Sequence, residues 1–427
     1  MNAPTRPRNS VETALIEAFA PSDARDLRAA AMQRFSARGL PNRRVEQWHY
    51  TDLRAAMAKA LPLAAAPDAA TLEAVRAQLA PAKGARAVII DGHFVADLSS
   101  AAEGVRIGSL AEALAEGASD DIIAGLGLGG GDAALDLNVA FMQDGALIDI
   151  AEGASGEVEI VDIASGRGET ASYARSVVRV GMGARALVCE TRLALAAAAN
   201  QRNVALIFDV GDFAGVEHVA ETRGDGEEAV QVQSLLVRMG RGARFESFAL
   251  TMTGGLWRRQ IFARLDGEAA HLALRGASLL HNRQHGDTTL VVEHVARECE
   301  SREFFRTIVD GEATGVFQGK IVVQAQAQKT DGVMKSNALL LADGAGMNNK
   351  PELEIFADDV TCGHGATIAQ LDADQVFYAQ ARGIPRRVAE AMLVEAFAGE
   401  AVDYVADETL RERYRADVHD WLATRED

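Results

Sequence analysis

Apolar residues in this chain change their spacing twice. After Ser22, Leu27, Ala30, Ala31 and Phe35 recur at helical intervals, and Gly39 with Pro41 ends the run. Ser10 and Ser22 stand where helix N-caps belong. The stretch Leu61 to Pro81, rich in Ala and Pro, reads as linker alternating with a short helix. Asp91-Gly92, between AVII and HFVADL, predicts a short β-hairpin. From about Leu135 the period shortens to that of strands, as in Ala186–Leu193, Val230–Val237, Phe245–Met252, Thr288–His294 and Ile321–Gln328. Turn signals punctuate them at Gly153-Ala154, Gly183-Ala184, Gly211-Asp212, Gly242-Ala243, Gly267-Glu268, Gly286-Asp287, Gly311-Glu312 and Gly344-Ala345. Their separations, roughly 19 to 33 residues, fall in the range of solenoids. No helical pattern interrupts the strands before Asp372. A sandwich of that length is conceivable, but a β-helix accounts better for so many short strands, since each coil need only pack on its neighbours. The helical period returns after Asp372. Pro385 is placed to begin a helix with Val388, Met392, Leu393, Ala396 and Phe397 on one face. A last helix after Asp407 carries Leu410, Tyr414, Val418, Trp421 and Leu422. Either stripe suits core packing or a partner, because a solenoid end needs a cap and that cap is accessible. The expected organisation is a mostly helical region 1–135, a β-helix core 136–371 and a helical region 372–427.

Composition narrows the function. The 427 residues are 48% hydrophobic but only 5% aromatic, which suits a core of Val, Leu, Ile and Ala. A net charge of −18 argues against a phosphate-backbone binder, which needs a basic stripe. Cys189, Cys299 and Cys362 are odd in number and far apart, unlike a secreted disulfide framework. The opening MNAPTRPRNS has no apolar signal core, and no run is long and apolar enough to span a bilayer. A reducing cytosol is the expected compartment.

The chemistry concentrates in Phe356 to Asp372, FADDVTCGHGATIAQLD. Cys362 and His364 stand two apart, flanked by Gly363 and Gly365 and preceded by Asp358 and Asp359. On a strand that spacing turns both side chains to one face. Thiolate and imidazole suit iron or zinc, but two ligands leave a metal site open or shared with another chain. Against this stands the ordinary buried cysteine. Other matches read as structural. Cys299 has no ligand at metal spacing, and Cys189 alternates with Leu187 as a core thiol. His281 and His285 have helical zinc spacing in a region that reads as strand and turn. His93 and His294 read as surface or hydrogen-bonded histidines, and Lys320, Lys329 and Lys335 as solvated charges. Asp358 and Asp359 read as turn residues in preference to an acid/base pair. The Gly125–Asp132 run, GLGLGGGD, lacks the Lys-Ser/Thr of a phosphate loop and reads as linker.

These pieces carry a family resemblance. Gly311–Gly399 resembles the C-terminal half of the SufB/SufD family of iron–sulfur cluster assembly proteins. It does so through GVFQGKIVV (Gly315–Val323), AQKTDGVMKSNALLL (Ala327–Leu341), NNKPELEIFADDVTCGHGAT (Asn348–Thr367) and QVFYAQARGIP (Gln375–Pro385). PNRRVEQWHYTDL (Pro41–Leu53) resembles the segment that marks the SufD branch, with His49 where Lys is commoner. The resemblance implies a right-handed parallel β-helix flanked by helical domains. It implies a complex with a SufB paralogue and the ATPase SufC, building clusters on SufB and at the interface between SufB and this chain. It places Cys362 and His364 at that interface, serving iron or a nascent Fe–S cluster, and docks SufC on the C-terminal helices through Val388, Met392, Leu393 and Phe397. The family's complex is also associated with a reduced flavin, for which no fingerprint is legible here. An isolated chain could use the same edge to form a homodimer.

Two function classes follow. One is a non-enzymatic assembly subunit supplying Cys362 and His364 to a shared site. The other is a β-helical polysaccharide-active enzyme, which would place carboxylates in an open groove along the coils. Co-purification of an ABC-type ATPase discriminates between them.

Overall fold

From Ala146 onward, strand pairing in this protein skips one strand at each step. In the computed structural model, which describes residues 7–19, 26–117 and 125–423, consecutive strands alternate between a ten-stranded and a nine-stranded sheet. Ser155 lies opposite Arg185, Arg185 opposite Gly215, and Gly215 opposite Arg244, all in parallel register. One coil thus takes roughly 30 residues, as a solenoid repeat does. The stack makes about seven turns between Ala146 and Gln370, with no helix in between. It is a parallel β-solenoid, as expected, with helices before and after it.

The coils close through backbone geometry at one corner. Gly153, Gly183, Phe213, Gly242, Ala269, Glu298 and Lys329 occupy equivalent places, all with φ between 56° and 67°. Each N–H at this corner donates to a carbonyl of the next coil, from Gly153 to Met182 (2.9 Å) through to Lys329 to Asp359 (2.6 Å). Glycine is the natural occupant of the left-handed region. The inter-coil ladder holds Phe213, Ala269, Glu298 and Lys329 there despite their side chains, so a glycine count under-reports the turns.

Between the sheets, one residue in two points inward. Val188, Phe208, Leu235, Phe245, Ile261, Leu274, Leu290, Phe317 and Met334 form the interior core. Burying each such side chain contributes about 1.5–3 kcal/mol. The outer faces are covered separately. N-terminal side chains, including Leu15, Phe35, Leu40 and Trp48, pack with Tyr173, Val230 and Val232 of the nine-stranded sheet. The C-terminal helices Arg386–Val402 and Glu408–Ala423 pack Val394, Ala398, Tyr414, Val418 and Trp421 on Phe248, Leu250, Leu279 and Ile308 of the other sheet.

Several local expectations hold. Helix Asp26–Arg38 buries Ala31 and Phe35 and stops at Gly39 (φ 69°). Ala85–Ile90 and His93–Phe94 form the hairpin, with Asp91 and Gly92 at φ 49° and 87°. Helix Ala69–Gln78 lies within the Ala/Pro-rich stretch.

Others shift. Asn9, not Ser10, caps the first helix, in a capping box with Glu12; Ser22 falls outside the described residues. Gly286-Asp287 is no turn but lies within strand His285–His294, where Asp287 is buried against Arg258 (2.5 Å). Ile321–Gln328 is not one strand: Thr314–Val323 ends at a corner, and Ala327 N–H turns back to Gln324. The alternating IVVQAQAQ hides that corner. Helix Ala133–Phe141 lies across position 136, and Ala85–Ile90 joins the sheet beside Ser155–Ala164, so the N-terminal region contributes strands to the stack. Among the described residues no helix is long and apolar enough to cross a membrane.

Candidate functional site

The last strand, Thr361–Gln370, sits at the end of the ten-stranded sheet and pairs only with Asp331–Leu340. Cys362 lies opposite Gly332 and His364 opposite Met334. Gly332 and Met334 are buried positions facing the solenoid interior. Cys362 and His364 therefore share the inward face of the final rung, as their spacing predicts. No further coil covers them. Cys362 is half-buried against the interior core, and His364 is exposed.

Burial raises the pKa of the Cys362 thiol, and the charges of Asp331 and Glu303 add to the rise; a hydrogen bond from the Gly332 backbone opposes it. A metal at this sulfur must displace the proton. Among the described residues, no three His, Cys, Asp or Glu side chains form a group able to hold a metal ion. Cys362 and His364 are thus not joined by a third such side chain among the described residues. Asp359 is tied into the preceding corner: its carboxylate pairs with Lys329, and its N–H donates to Gln328 Oε1 (2.9 Å). It is a turn residue, as its sequence context suggests.

The neighbouring strand Gly346–Ile355 ends the second sheet in the same way, so the solenoid finishes on two free edges. Ile355, Phe356 and Ile368 are 40%, 63% and 48% exposed there. Unpaired parallel edges with exposed apolar side chains are a template for another chain.

The C-terminal helices divide their apolar residues. Helix Glu408–Ala423 buries Tyr414, Val418, Trp421 and Leu422, which makes that stripe core. Helix Arg386–Val402 buries Ala389, Val394, Ala398 and Ala401, and not the stripe picked out by sequence. Val388 and Met392 are about half exposed, Leu393 and Phe397 lie at the margin, and Phe377 and Tyr378 stand out on the preceding helix. The two aromatics were missed because helical spacing alone does not say which face remains uncovered.

The remaining sequence candidates are structural. Cys299 is buried and donates to the carbonyls of Gly267 (3.3 Å) and Arg297 (3.5 Å). Cys189 points away from the interior toward the last helix, and burial pushes its thiol up to about 12. His285 meets Thr51 Oγ1 (2.9 Å), while the His281 ring lies 6.0 Å from that of Trp421, so the two do not form a zinc pair. His93 contacts Ala64 O and Gln143. Lys320 pairs with Glu354 (2.7 Å). In GLGLGGGD, Asp132 accepts from Ala134 N and Leu135 N, filling with its own carboxylate the helix end a phosphate would use. The Pro41–Leu53 motif is a clasp. Arg258 stacks on Trp48 (3.9 Å) and donates to Gln47 O (2.7 Å), while Trp48 Nε1 donates to Asp132 (2.8 Å).

Comparison with known proteins accounts for this arrangement. Residues 163–397 match the SufBD core domain of SUF-system FeS cluster assembly, and residues 10–160 match the SufBD protein N-terminal region. The chain belongs to the SufBD family of iron–sulfur cluster assembly proteins. It is 30% identical over 395 residues to the iron–sulfur cluster assembly protein SufD of Escherichia coli (strain K12), covering 90% of each chain. It is 29% identical to a SufBD family protein of Synechocystis, covering 88% of this chain and 86% of that one. A chloroplast protein of Arabidopsis thaliana, ABCI7, is 30% identical over 44% of this chain and 40% of its own length.

Proposed function

We propose that this chain is a non-catalytic subunit of a SUF assembly complex. It joins a SufB paralogue through the free edges Gly346–Ile355 and Thr361–Gln370, and presents Cys362 and His364 to iron or a nascent cluster at that junction. The observation that carries this reading is the placement of both ligands on the inward face of the last, uncovered rung. The open space beyond the end of the coil leaves room for a partner to supply the remaining ligands. Thiolate with neutral imidazole suits iron, and an incomplete ligand set allows the cargo to be passed on. The SufC ATPase docks on the exposed stripe of Val388 and Met392, flanked by Leu393 and Phe397.

The test replaces His364 with Ala in a chain co-expressed with its SUF partners. The complex should still assemble, since His364 is exposed and the substitution removes no core contact. Iron content and delivery of cluster to an apo-acceptor should fall several-fold. Delivery at the wild-type rate would show that His364 has no part in the site.

A further inference from the structure

The two free edges at the open end are not alike. In a parallel ladder the N–H and C=O of one residue point to the same side, and successive residues alternate. The Gly346 N–H donates to Ala313 O (3.0 Å), and just past the strand the Phe356 N–H donates to Val323 O (2.8 Å), in unbroken register with Thr314–Val323. Even-numbered residues of Gly346–Ile355 therefore bond the neighbouring strand. Met347, Asn349, Pro351, Leu353 and Ile355 turn their backbone to the free edge. The middle one of these is proline, which has no N–H. The outer face of this strand is charged. Lys350 pairs with Glu352 (3.2 Å) and with Glu46 of the N-terminal clasp (3.3 Å), and Glu354 pairs with Lys320 (2.7 Å). Proline and lysine so placed guard an edge against strand addition.

Thr361–Gln370 has the opposite finish. The Thr361 N–H donates to Thr330 O (2.9 Å), so here the odd-numbered residues bond the neighbouring strand Asp331–Leu340. Cys362, His364, Ala366, Ile368 and Gln370 turn N–H and C=O to the free edge, with no proline among them. The outward side chains belong to small, uncharged residues. A Cβ at Gly363 or Gly365 would meet nothing within 4 Å, and neither glycine has a left-handed φ. Neither packing nor conformation within this chain calls for glycine there, whereas close approach of another backbone does.

We propose that the SufB paralogue adds one strand to Thr361–Gln370 through main-chain hydrogen bonds and forms no such ladder on Gly346–Ile355, which it touches through side chains alone. The proposal rests on the assembly role above and assigns the joint to one of the two sheets. The chemistry of the edge selects the occupant: an unbroken row of outward donors and acceptors takes an extended backbone, since a helix uses its main-chain groups internally. An added strand lies about 4.8 Å away. Partner side chains opposite Cys362 and His364 then share their inward face, where a bound iron or cluster needs its remaining ligands.

The experiment compares amide hydrogen exchange in the isolated chain and in the complex co-expressed with the paralogue. Exchange in 361–370 should slow at least tenfold on assembly, and in 346–355 by less than twofold. Ala366→Pro removes one outward N–H, at a position where an edge strand tolerates proline. It should lower co-purification of the paralogue at least tenfold and leave the urea midpoint of the isolated chain unchanged. If that variant does not fold, the exchange pattern of the wild-type complex decides alone. Equal slowing at both edges, no slowing in 361–370, or wild-type capture by a folded Ala366→Pro chain overturns the proposal. A complex that forms without slowing in 361–370 leaves the assembly role standing; failure of any complex to form removes both. Slow exchange in 361–370 of an isolated chain that sediments as a dimer, unchanged when the paralogue is present, makes a second copy the occupant and overturns the assignment to SufB.

Discussion

The two ends of the solenoid are finished differently. At the first end, Ala85–Ile90 is covered by the antiparallel hairpin strand His93–Phe94, and Val105–Ser109 lies antiparallel to Ala146–Ile150. The chain thus closes both sheets with its own short, reversed strands, the usual protection for a sheet edge. At the last end, two ten-residue strands stop bare. Of the two, TCGHGATIAQ carries neither proline nor lysine, which are common guards of exposed edges, whereas GMNNKPELEI carries Lys350 and Pro351. Cys362 and His364 lie at the uncapped end.

The comparison sharpens inside the coils. Glu190, toward the first end, and Glu303, toward the last, are both fully buried acids. Burial alone would raise Glu190, but Arg192, His218 and Arg259 outweigh it and bring the carboxyl down to about 2. At Glu303 burial outweighs the Ser301 hydroxyl and the Arg302 charge and pushes the carboxyl up to about 8 from an ordinary 4.5. The signs follow from linkage. Glu303 holds its proton more tightly when folded, so its contribution is favourable below pH 4.5 and is lost as pH rises toward 8. The loss reaches up to about 5 kcal/mol, at 1.36 kcal/mol per pKa unit. Glu190 behaves oppositely, losing its contribution as pH falls toward 2. Urea unfolding at pH 5, 7 and 8.5 should show E303Q gaining on wild type as pH rises. A constant difference across that range would mean that Glu303 is ionised in the fold.

Next in size is the contrast between closed and open rungs. Phe245 is fully buried mid-stack, and Phe245→Ala should destabilise the chain by about 3–5 kcal/mol. Phe356 is exposed at the open end. Phe356→Ala should change unfolding of the isolated chain by less than about 0.5 kcal/mol, yet weaken capture of a SufB paralogue in co-purification. Equal effects of the two substitutions on stability would mean that the end is not open.

The smallest effect on stability is expected at the C-terminal helices. Met392→Glu, on the exposed stripe, should shift unfolding by less than about 0.5 kcal/mol while removing ATPase capture. Val394→Glu, two residues on, buries a charge against the solenoid and should destabilise strongly. Truncation after Asp372 would be a poor substitute for the point change. It strips the cover from Phe248, Leu250 and Ile308 and perturbs the stack itself.

Much of this architecture was legible in the residues. Period two between Leu135 and Asp372, the Asp91-Gly92 turn and the helix stop at Gly39 each follow from local stereochemistry, and local stereochemistry is carried by local sequence. That Cys362 and His364 share a face was legible too, since residues at i and i+2 do so on any strand. The corners were read poorly. Four of the seven left-handed positions are not glycine, because the hydrogen-bond ladder between coils, and not the residue itself, selects that conformation. Gly286-Asp287 misled in the opposite direction, since Asp287 is an ion-pair partner of Arg258 from the neighbouring coil.

Sequence alone determined that the chain coils, that helices flank the coil, and that one strand carries a thiol and an imidazole side by side. Tertiary structure decided which rung that strand occupies, which helix face stays bare, and that Glu303 is enclosed. In the charged stretch ECESREFFR, Ser301 and Glu303 face inward, because register with the neighbouring coil sets inside and outside. Register is a relation between residues roughly 30 positions apart, and no local pattern of polar and apolar residues specifies it.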